Sequence, residues 1–571
     1  MSYFLKKTKP SKKGVYLQIY QGYYIPKVGK RNKSYRKIGY ISDLIAQGIK
    51  NPIEHFQKEV DLLNQKEKDQ STQISDVSTS KFAGHFLVKA MIDKLNVKKT
   101  IDLMNANFKI QFKISDLIEM LIYAQVLSPG SKLKAFEKII PSLYNQVPIS
   151  YDQVIEGIKI IGNNYEKYIE LFNKKIGDLW PRDTKKVFFD CTNYYFEIDL
   201  EDEFRKKGPS KEERHNPIIG QALLLDAQQI PIGMTMYSGN QSEKPYLRKE
   251  IENIKTRYDI SGKTIQVADK GLNCGDNIYA AVVESSDGYI FSKSVHGKNL
   301  SSIEKEWVLL SDNEENKWTD VKDAKGNLLY SYKSCVDVFK YERNVDDKKV
   351  SFYVKEKRVV TYNPSLAKKR RTEIKKEVEK AQEKITLKSV TKDKFGDCAK
   401  YVDFEAVDKN GKKVKIGKKM NEEKIKEDLN LAGFNIIVTS EINMSPIEIY
   451  NVYHGLWRIE ESFRIMKTYL EARPVFLQNI ASIYGHFLIC YLSLTLVRLL
   501  ELKIFEDKIP ASQLFDFMRG YRVTDTGQGS YINNATTSRT FEFIKENLGL
   551  IKLGNLLLKK KDLDNLFSIE F

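Results

Sequence analysis

The stretch VFFDCTNYYFEI, residues 187–198, decides how the chain is read. Before it, from Phe82 to about Phe172, apolar residues recur at helical spacing, as in Ile114, Leu117, Ile118, Leu121 and Ile122. From Lys185 the period changes. β-branched and aromatic residues dominate, and residues of that kind fit a pleated, half-buried strand. Asp190 stands inside this otherwise apolar run.

Working outward, QALLLDAQQIPIGMTMYSG (221–239) reads as two more strands joined at Asp226 to Gln229. Glu243 to Tyr258 is an amphipathic helix. TIQVADKG (264–271) is a short buried strand ending in Asp269, and Asn277 to Val283 begins another helix. Three strands, a helix, a strand and a helix give the order of a ribonuclease-H-like α/β core. Lys- and Glu-rich sequence from about Lys298 to Asp428 interrupts that core. It includes the helical run AKKRRTEIKKEVEKAQEK (367–384) and strand-like flanks at Val350–Val354 and Tyr401–Ala406. FNIIVTS (434–440) resumes the core as a strand, and a long helical stretch follows from Pro446 to Leu502.

The expected division is a basic β-ribbon arm (1–61), a polar linker (62–81), an all-α DNA-binding module (82–175), the core in two parts (176–297 and 429–502), an insertion subdomain (298–428) and a C-terminal helical region (503–571). The 571 residues carry 93 Lys and Arg against 75 Asp and Glu, a net charge of +18 that points to a polyanionic partner, above all nucleic acid. The Tyr-, Lys- and Arg-rich ribbon at Val15–Ile41 and the helical module are the candidate DNA-binding surfaces. The KKRR cluster (Lys368–Arg371) is read as a solvated helix face that can also touch DNA. Five scattered cysteines, with no CxxC and no histidine at ligand spacing, argue against a disulfide framework or a zinc site. No signal peptide is expected, and the best apolar run, Phe487 to Val497, is too short to span a bilayer. A cytoplasmic protein with no membrane partner is expected.

A carboxylate at the end of a buried strand is costly unless it is paired or binds a cation. Asp190 and Asp269 on two strands of one sheet therefore suggest a shared ion, with turn capping or a lysine partner as the alternative for each. In YHGLWRIEESFRIMK (453–467), Tyr453, Glu460 and Lys467 lie seven apart, so a continuous helix puts them on one stripe with Arg464 beside it. Glu461 is rotated off that stripe by about 100°. The alternative is a solvated face laced by pairing of Glu460 with Arg464. Asp226 is read as a turn residue, Ser242 and Glu243 as a helix cap, and Cys191 as core. His215 and His296 are read as surface or structural groups.

This pattern resembles the DDE transposases of bacterial insertion sequences, in the group named for insertion sequence four. The signature there is Tyr, two residues, Arg, three residues, Glu, six residues, Lys. Tyr453, Glu460 and Lys467 fall on it, while Leu456 stands in place of the arginine and Arg458 or Arg464 would have to substitute. LWRIEESFRIMKTYLEARPVF (456–476), SKEERHNPIIG (210–220) and YSGNQSEK (237–244) are similar to the branch numbered sixteen thirty-four. The resemblance, from about Phe82 to Leu500, implies a ribonuclease-H-like catalytic core with a mainly β insertion. Asp190, Asp269 and Glu460 would hold two Mg²⁺ or Mn²⁺ ions there. Tyr453, Arg458, Arg464 and Lys467 would face DNA. It implies cleavage at the element's terminal inverted repeats and joining to target DNA by a homodimer on double-stranded DNA, in the nucleoid of a bacterial cytoplasm. A nuclease that does not join strands, or a DNA-binding protein with a decayed centre, are the competing expectations.

Overall fold

The computed structural model describes residues 2–10, 13–25, 29–72, 79–209, 215–257, 260, 262–296, 300–310, 317–346, 348–386, 392–407, 415–527 and 529–571. The chain divides into two compact units. One comprises Met1–Ala90, Glu137–Val147 and Gln513–Phe571, the other Met91–Phe136 and Pro148–Ser512.

The larger unit is a mixed α/β body built on one nine-stranded sheet. Its strands are β1 (Lys186–Tyr195), β2 (Ile218–Leu225), β3 (Pro231–Ser238), β4 (Ile265–Ala268), β5 (Gly288–Lys293), β6 (Thr319–Lys322), β7 (Leu328–Val345), β8 (Lys348–Tyr362) and β9 (Phe434–Thr439). They lie in the order β6-β7-β8-β9-β5-β4-β1-β2-β3. β4 runs parallel to both β1 and β5, and the remaining neighbours are antiparallel. β2 is apolar but for Gln221 and is buried at every residue, as a strand covered on both faces must be.

Helices of this unit include α1 (Ile114–Leu127), α2 (Tyr151–Asn163), α3 (Tyr165–Leu179), α4 (Lys244–Arg257), α5 (Pro364–Thr386), α6 (Pro446–His454), α7 (Trp457–Arg464) and α8 (Ile480–Leu499), of which α5, α6 and α7 reach the site. Strand alternation splits β1 between two layers. Val187, Phe189 and Cys191 join Leu247, Ile251 and Ile254 of α4 in one core cluster. On the opposite face Phe188 lies under Gly455, and the Tyr194 ring packs on Phe487 of α8. A Cβ at Gly455 would stand 2.8 Å from the Phe188 ring, so only glycine allows that approach.

Helix α8 continues in a π-turn to Ile504, and these 25 residues are long and apolar enough to cross a membrane. This corrects the shorter run read from sequence. His486, Arg498 and Glu501 break the apolar string but are themselves buried. The helix is sheathed by protein. At its crossing with α2, a Cβ on Gly485 would lie 2.2 Å from the Ile158 carbonyl oxygen.

Three expectations change. The freestanding all-α module is not what forms: residues 82–175 are shared between the two units. Thirteen of the fourteen residues of α1 are buried, leaving that helix no independent surface. The insertion, whose strands are accompanied by α5 and by helices at Ser302–Leu309 and Glu422–Asn430, is not a separate body, because β8 pairs with β9 and continues the core sheet. The C-terminal stretch, read as helical, also carries strands at Arg522–Asp525, Ser530–Asn533 and Leu557–Lys559.

The smaller unit contains that C-terminal sheet, which Ser80–Phe82 completes as a fourth strand. It also contains a three-stranded antiparallel sheet of Ser2–Lys7, Tyr16–Ile25 and Gly29–Tyr40, the basic ribbon. Helix Pro52–Thr72 runs into the stretch read as linker and is tied to the ribbon by Asn64. Its Oδ1 accepts from the Tyr3 N–H at 2.7 Å, and its Nδ2 donates to the Tyr3 carbonyl at 2.9 Å. Residues 73–78 of the expected linker, and 210–214 of the SKEERHNPIIG motif, lie outside the described residues. None of the five cysteines is in a disulfide.

Candidate active site

Residues far apart in the chain border one cavity of about 370 Å³ in the larger unit. Asp190 comes from β1, Asp269 from the residue after β4, and Glu460 from α7; all three line it. Tyr330, Thr361, Asn363 and Leu366 of the inserted stretch close the other side, with Asn435 of β9 and Tyr450, Tyr453, His454 and Trp457 of the α6–α7 segment.

Strand alternation explains Asp190. It points away from the α4 cluster that holds Phe189 and Cys191, and its Oδ1 accepts from the Cys191 N–H at 2.7 Å. Asp269 leaves the sheet as β4 ends. Its Oδ1 accepts from the Ser292 hydroxyl at 3.0 Å and the Tyr453 hydroxyl at 3.1 Å, which together fix the carboxylate. Burial, with Asp269 alongside, holds the Tyr453 proton well above the usual phenol range, so this phenol stays a donor. Burial likewise lowers the pKa of His454, and burial with Tyr450 nearby pushes Tyr330 up to about 12. The Tyr330 and Tyr450 rings stack at 3.9 Å, and His454 meets Tyr450 edge-on.

Glu460 is exposed and opens on the cavity, whereas Glu461 faces inward. Glu461 Oε2 pairs with Arg458 at 3.1 Å and Arg498 at 2.9 Å, and Arg498 also pairs with Glu501 at 2.5 Å. Burial alone would raise the Glu461 pKa; the two guanidiniums outweigh it and hold the carboxyl below its usual range.

The one-stripe expectation does not survive intact. Helix α6 stops at His454, and i−3 hydrogen bonds from Leu456, Arg458 and Ile459 tighten the turn before α7 proceeds. A π-turn at Ile465–Tyr469 then widens it. Tyr453 and Glu460 still share the cavity. Lys467 does not line it; its ammonium lies 5.4 Å from the Tyr194 ring centroid. Arg464 is exposed and pairs with Glu461 at 3.4 Å. Arg458 is buried in the internal network, where it also meets Asp507 at 2.6 Å. Leu456, in the arginine position of the signature, lines the cavity. Among the described residues, no Lys or Arg lines it.

The other candidates fall outside the chamber. Asp226 is fully buried at its turn, accepting from the Gln228 and Ile230 N–H groups and pairing with Arg182 at 3.0 Å. His296 pairs with Asp428, and His215 is exposed. Sequence reasoning missed Ser292, a small polar residue within the apolar run of β5 whose role depends on the neighbouring strand.

The donors are carboxylate and hydroxyl oxygens, the chemistry that hard divalent cations take. Among the described residues, however, no three His, Cys, Asp or Glu side chains converge closely enough to hold a metal ion. The acids border a common chamber with their oxygens apart.

No protein-family model and no curated protein matches the chain. Among solved structures, the piggyBac transposase synaptic complex with hairpin DNA is similar over 86% of this chain and 86% of that one. The identity is 9% and the TM-score 0.36.

Proposed function

We propose that the chain is a metal-dependent DNA transposase that binds the terminal inverted repeats of its own element, cuts there and joins the ends to target DNA. The observation that carries this reading is the meeting of Asp190, Asp269 and Glu460, far apart in sequence, around one cavity. The strand order β3-β2-β1-β4-β5, with only β1, β4 and β5 mutually parallel, supports a ribonuclease-H-like core. The spacing of Tyr453, Glu460 and Lys467 in the sequence supports the transposase resemblance.

In this reading Asp190, Asp269 and Glu460 would hold two Mg²⁺ or Mn²⁺ ions once their oxygens are drawn together. Such a pair of ions supplies activation of the attacking oxygen and stabilisation of the leaving one. Ser292 and Tyr453 keep Asp269 oriented. The aromatic wall of Tyr330, Tyr450 and Trp457 limits water around the reacting phosphate. Arg464 and Lys467 act on DNA outside the chamber, and Arg458 has an internal role. The working form is a homodimer on two DNA ends in a bacterial nucleoid.

Asp190→Asn, Asp269→Asn and Glu460→Gln are each expected to abolish Mg²⁺-dependent cleavage of DNA carrying the element's ends while DNA binding persists. Mn²⁺ binding, followed by electron paramagnetic resonance, should weaken in the same three variants. Cleavage that survives in Glu460→Gln refutes the assignment. Cleavage without joined products from pre-cut ends reduces the protein to a nuclease.

A further inference from the structure

The chamber proposed for catalysis holds three acids and, among the described residues, no lining Lys or Arg. A phosphodiester approaching it meets repulsion from those acids before it meets any cation. Cations that draw DNA in must therefore stand next to the chamber. Helix α5 is placed to supply them: Asn363, just before it, and Leu366, in its first turn, form part of the cavity wall.

From that wall, α5 carries Lys368, Lys369, Lys375, Lys376 and Lys380, all exposed. At about 100° per residue these five fall within an arc of about 140°. Ala367, Ile374 and Ala381 are buried on the opposite side of the helix. Arg370 belongs to the inner side, paired with Glu373 at 3.0 Å and Glu377 at 3.4 Å. At about 1.5 Å per residue the lysine ridge runs roughly 18 Å, the length of about five base pairs at 3.4 Å per step. Glu379 and Glu383 are the exposed acids in its distal part.

We propose that the exposed lysine face of α5 is a docking surface for the phosphate backbone of the duplex whose scissile bond enters the acid chamber. This rests on the transposase reading and names the DNA contact that Lys467, Arg464 and Arg458, none of which lines the cavity, do not make there. Because the ridge offers point charges and no planar forks, it reads backbone rather than sequence.

Full-length protein is titrated with fluorescein-labelled random-sequence duplex DNA by anisotropy over a series of salt concentrations. Each neutralised phosphate contributes about 0.9 to the slope of log affinity against log salt. Replacing Lys368, Lys369, Lys375 and Lys376 together by Gln should reduce that slope by about 2 to 4 and weaken binding at least tenfold near 0.1 M salt. Glu379→Gln with Glu383→Gln should tighten binding. A wild-type slope in the lysine variant, whether binding is unchanged or weakened, overturns the proposal. Metal-dependent cleavage by wild type and by Glu460→Gln is read in parallel. If Glu460→Gln abolishes cleavage and the slope is unchanged, only the ridge is wrong. If wild type does not cleave, the transposase reading fails, while a changed slope still marks α5 as a DNA-binding face.

Discussion

Replacing Arg498 by Met tests the internal ion network that anchors the helix carrying Glu460. Arg498 is fully buried, and its guanidinium donates to Glu501 at 2.5 Å, Glu461 at 2.9 Å and the Ser462 hydroxyl at 3.0 Å. Methionine keeps much of the side-chain volume, so the loss comes from the carboxylates left behind. Removing one partner of a buried pair costs roughly 3 to 5 kcal/mol, because the remaining charge stays desolvated. Arg458 stays within 3.1 Å of Glu461 and 3.5 Å of Glu501, which places the expected loss at the low end, about 3 kcal/mol. Urea denaturation followed by tryptophan fluorescence reads it as a lowered midpoint. The pH dependence is a second readout. In the wild type the depressed Glu461 pKa contributes stability that is present above the unfolded value and lost as pH falls through the folded one. Without Arg498 that pKa rises, because Arg458 loses its main ally in opposing burial. The deficit of the variant should then be largest above about pH 6 and shrink toward about pH 4. A loss below about 1 kcal/mol, or one equal at both pH values, would refute the reasoning.

Ser292→Ala removes one of the two hydroxyls held by Asp269, worth about 1 to 1.5 kcal/mol, so metal-dependent cleavage should slow about tenfold with DNA binding unchanged. An unaltered rate would show that Tyr453 alone suffices. Gly485→Ala forces a Cβ to within 2.2 Å of the Ile158 carbonyl and should destabilise the larger unit by about 3 kcal/mol or more, as a lower denaturation midpoint. Gly177→Ala in α3, where the added carbon meets only Arg182 Cγ at 3.7 Å, should be neutral or slightly stabilising. His486 is held at about 3 by burial, with the Lys132 charge adding to the effect, so it is neutral in the fold. Its contribution is complete above the unfolded value of about 6.5 and drains as pH falls toward 3; His486→Phe should remove about one proton from the pH slope of stability in that window.

Asp190 inside its strand and Asp269 at the end of its own were legible because an Asp in VFFD or QVAD has no cheap apolar explanation, and both line the cavity. Glu460 was separable from Glu461 by helical arithmetic, which holds within the short span of α7. The same arithmetic failed for Lys467. Seven-residue spacing assumes a uniform helix, whereas this one tightens around Leu456 and widens at Ile465. Arg458 misled in another way. Arginine reads as surface, and the Glu501 carboxylate and Arg498 guanidinium it meets inside lie about forty residues further along the chain. The nine-stranded sheet was half visible. Both long strands of the insertion alternate, but nothing local shows that β8 continues a sheet already built.

That continuation ties the two walls of the chamber together. β9 is hydrogen-bonded to β8 on one side and β5 on the other, so Thr361 and Asn435 sit in the same lattice as the strands that bring in Asp190 and Asp269. The interrupting segment is therefore not a cassette that can be excised or exchanged. Cutting it away would unzip one bank of the cleft and leave a raw edge where the acids need a rigid frame.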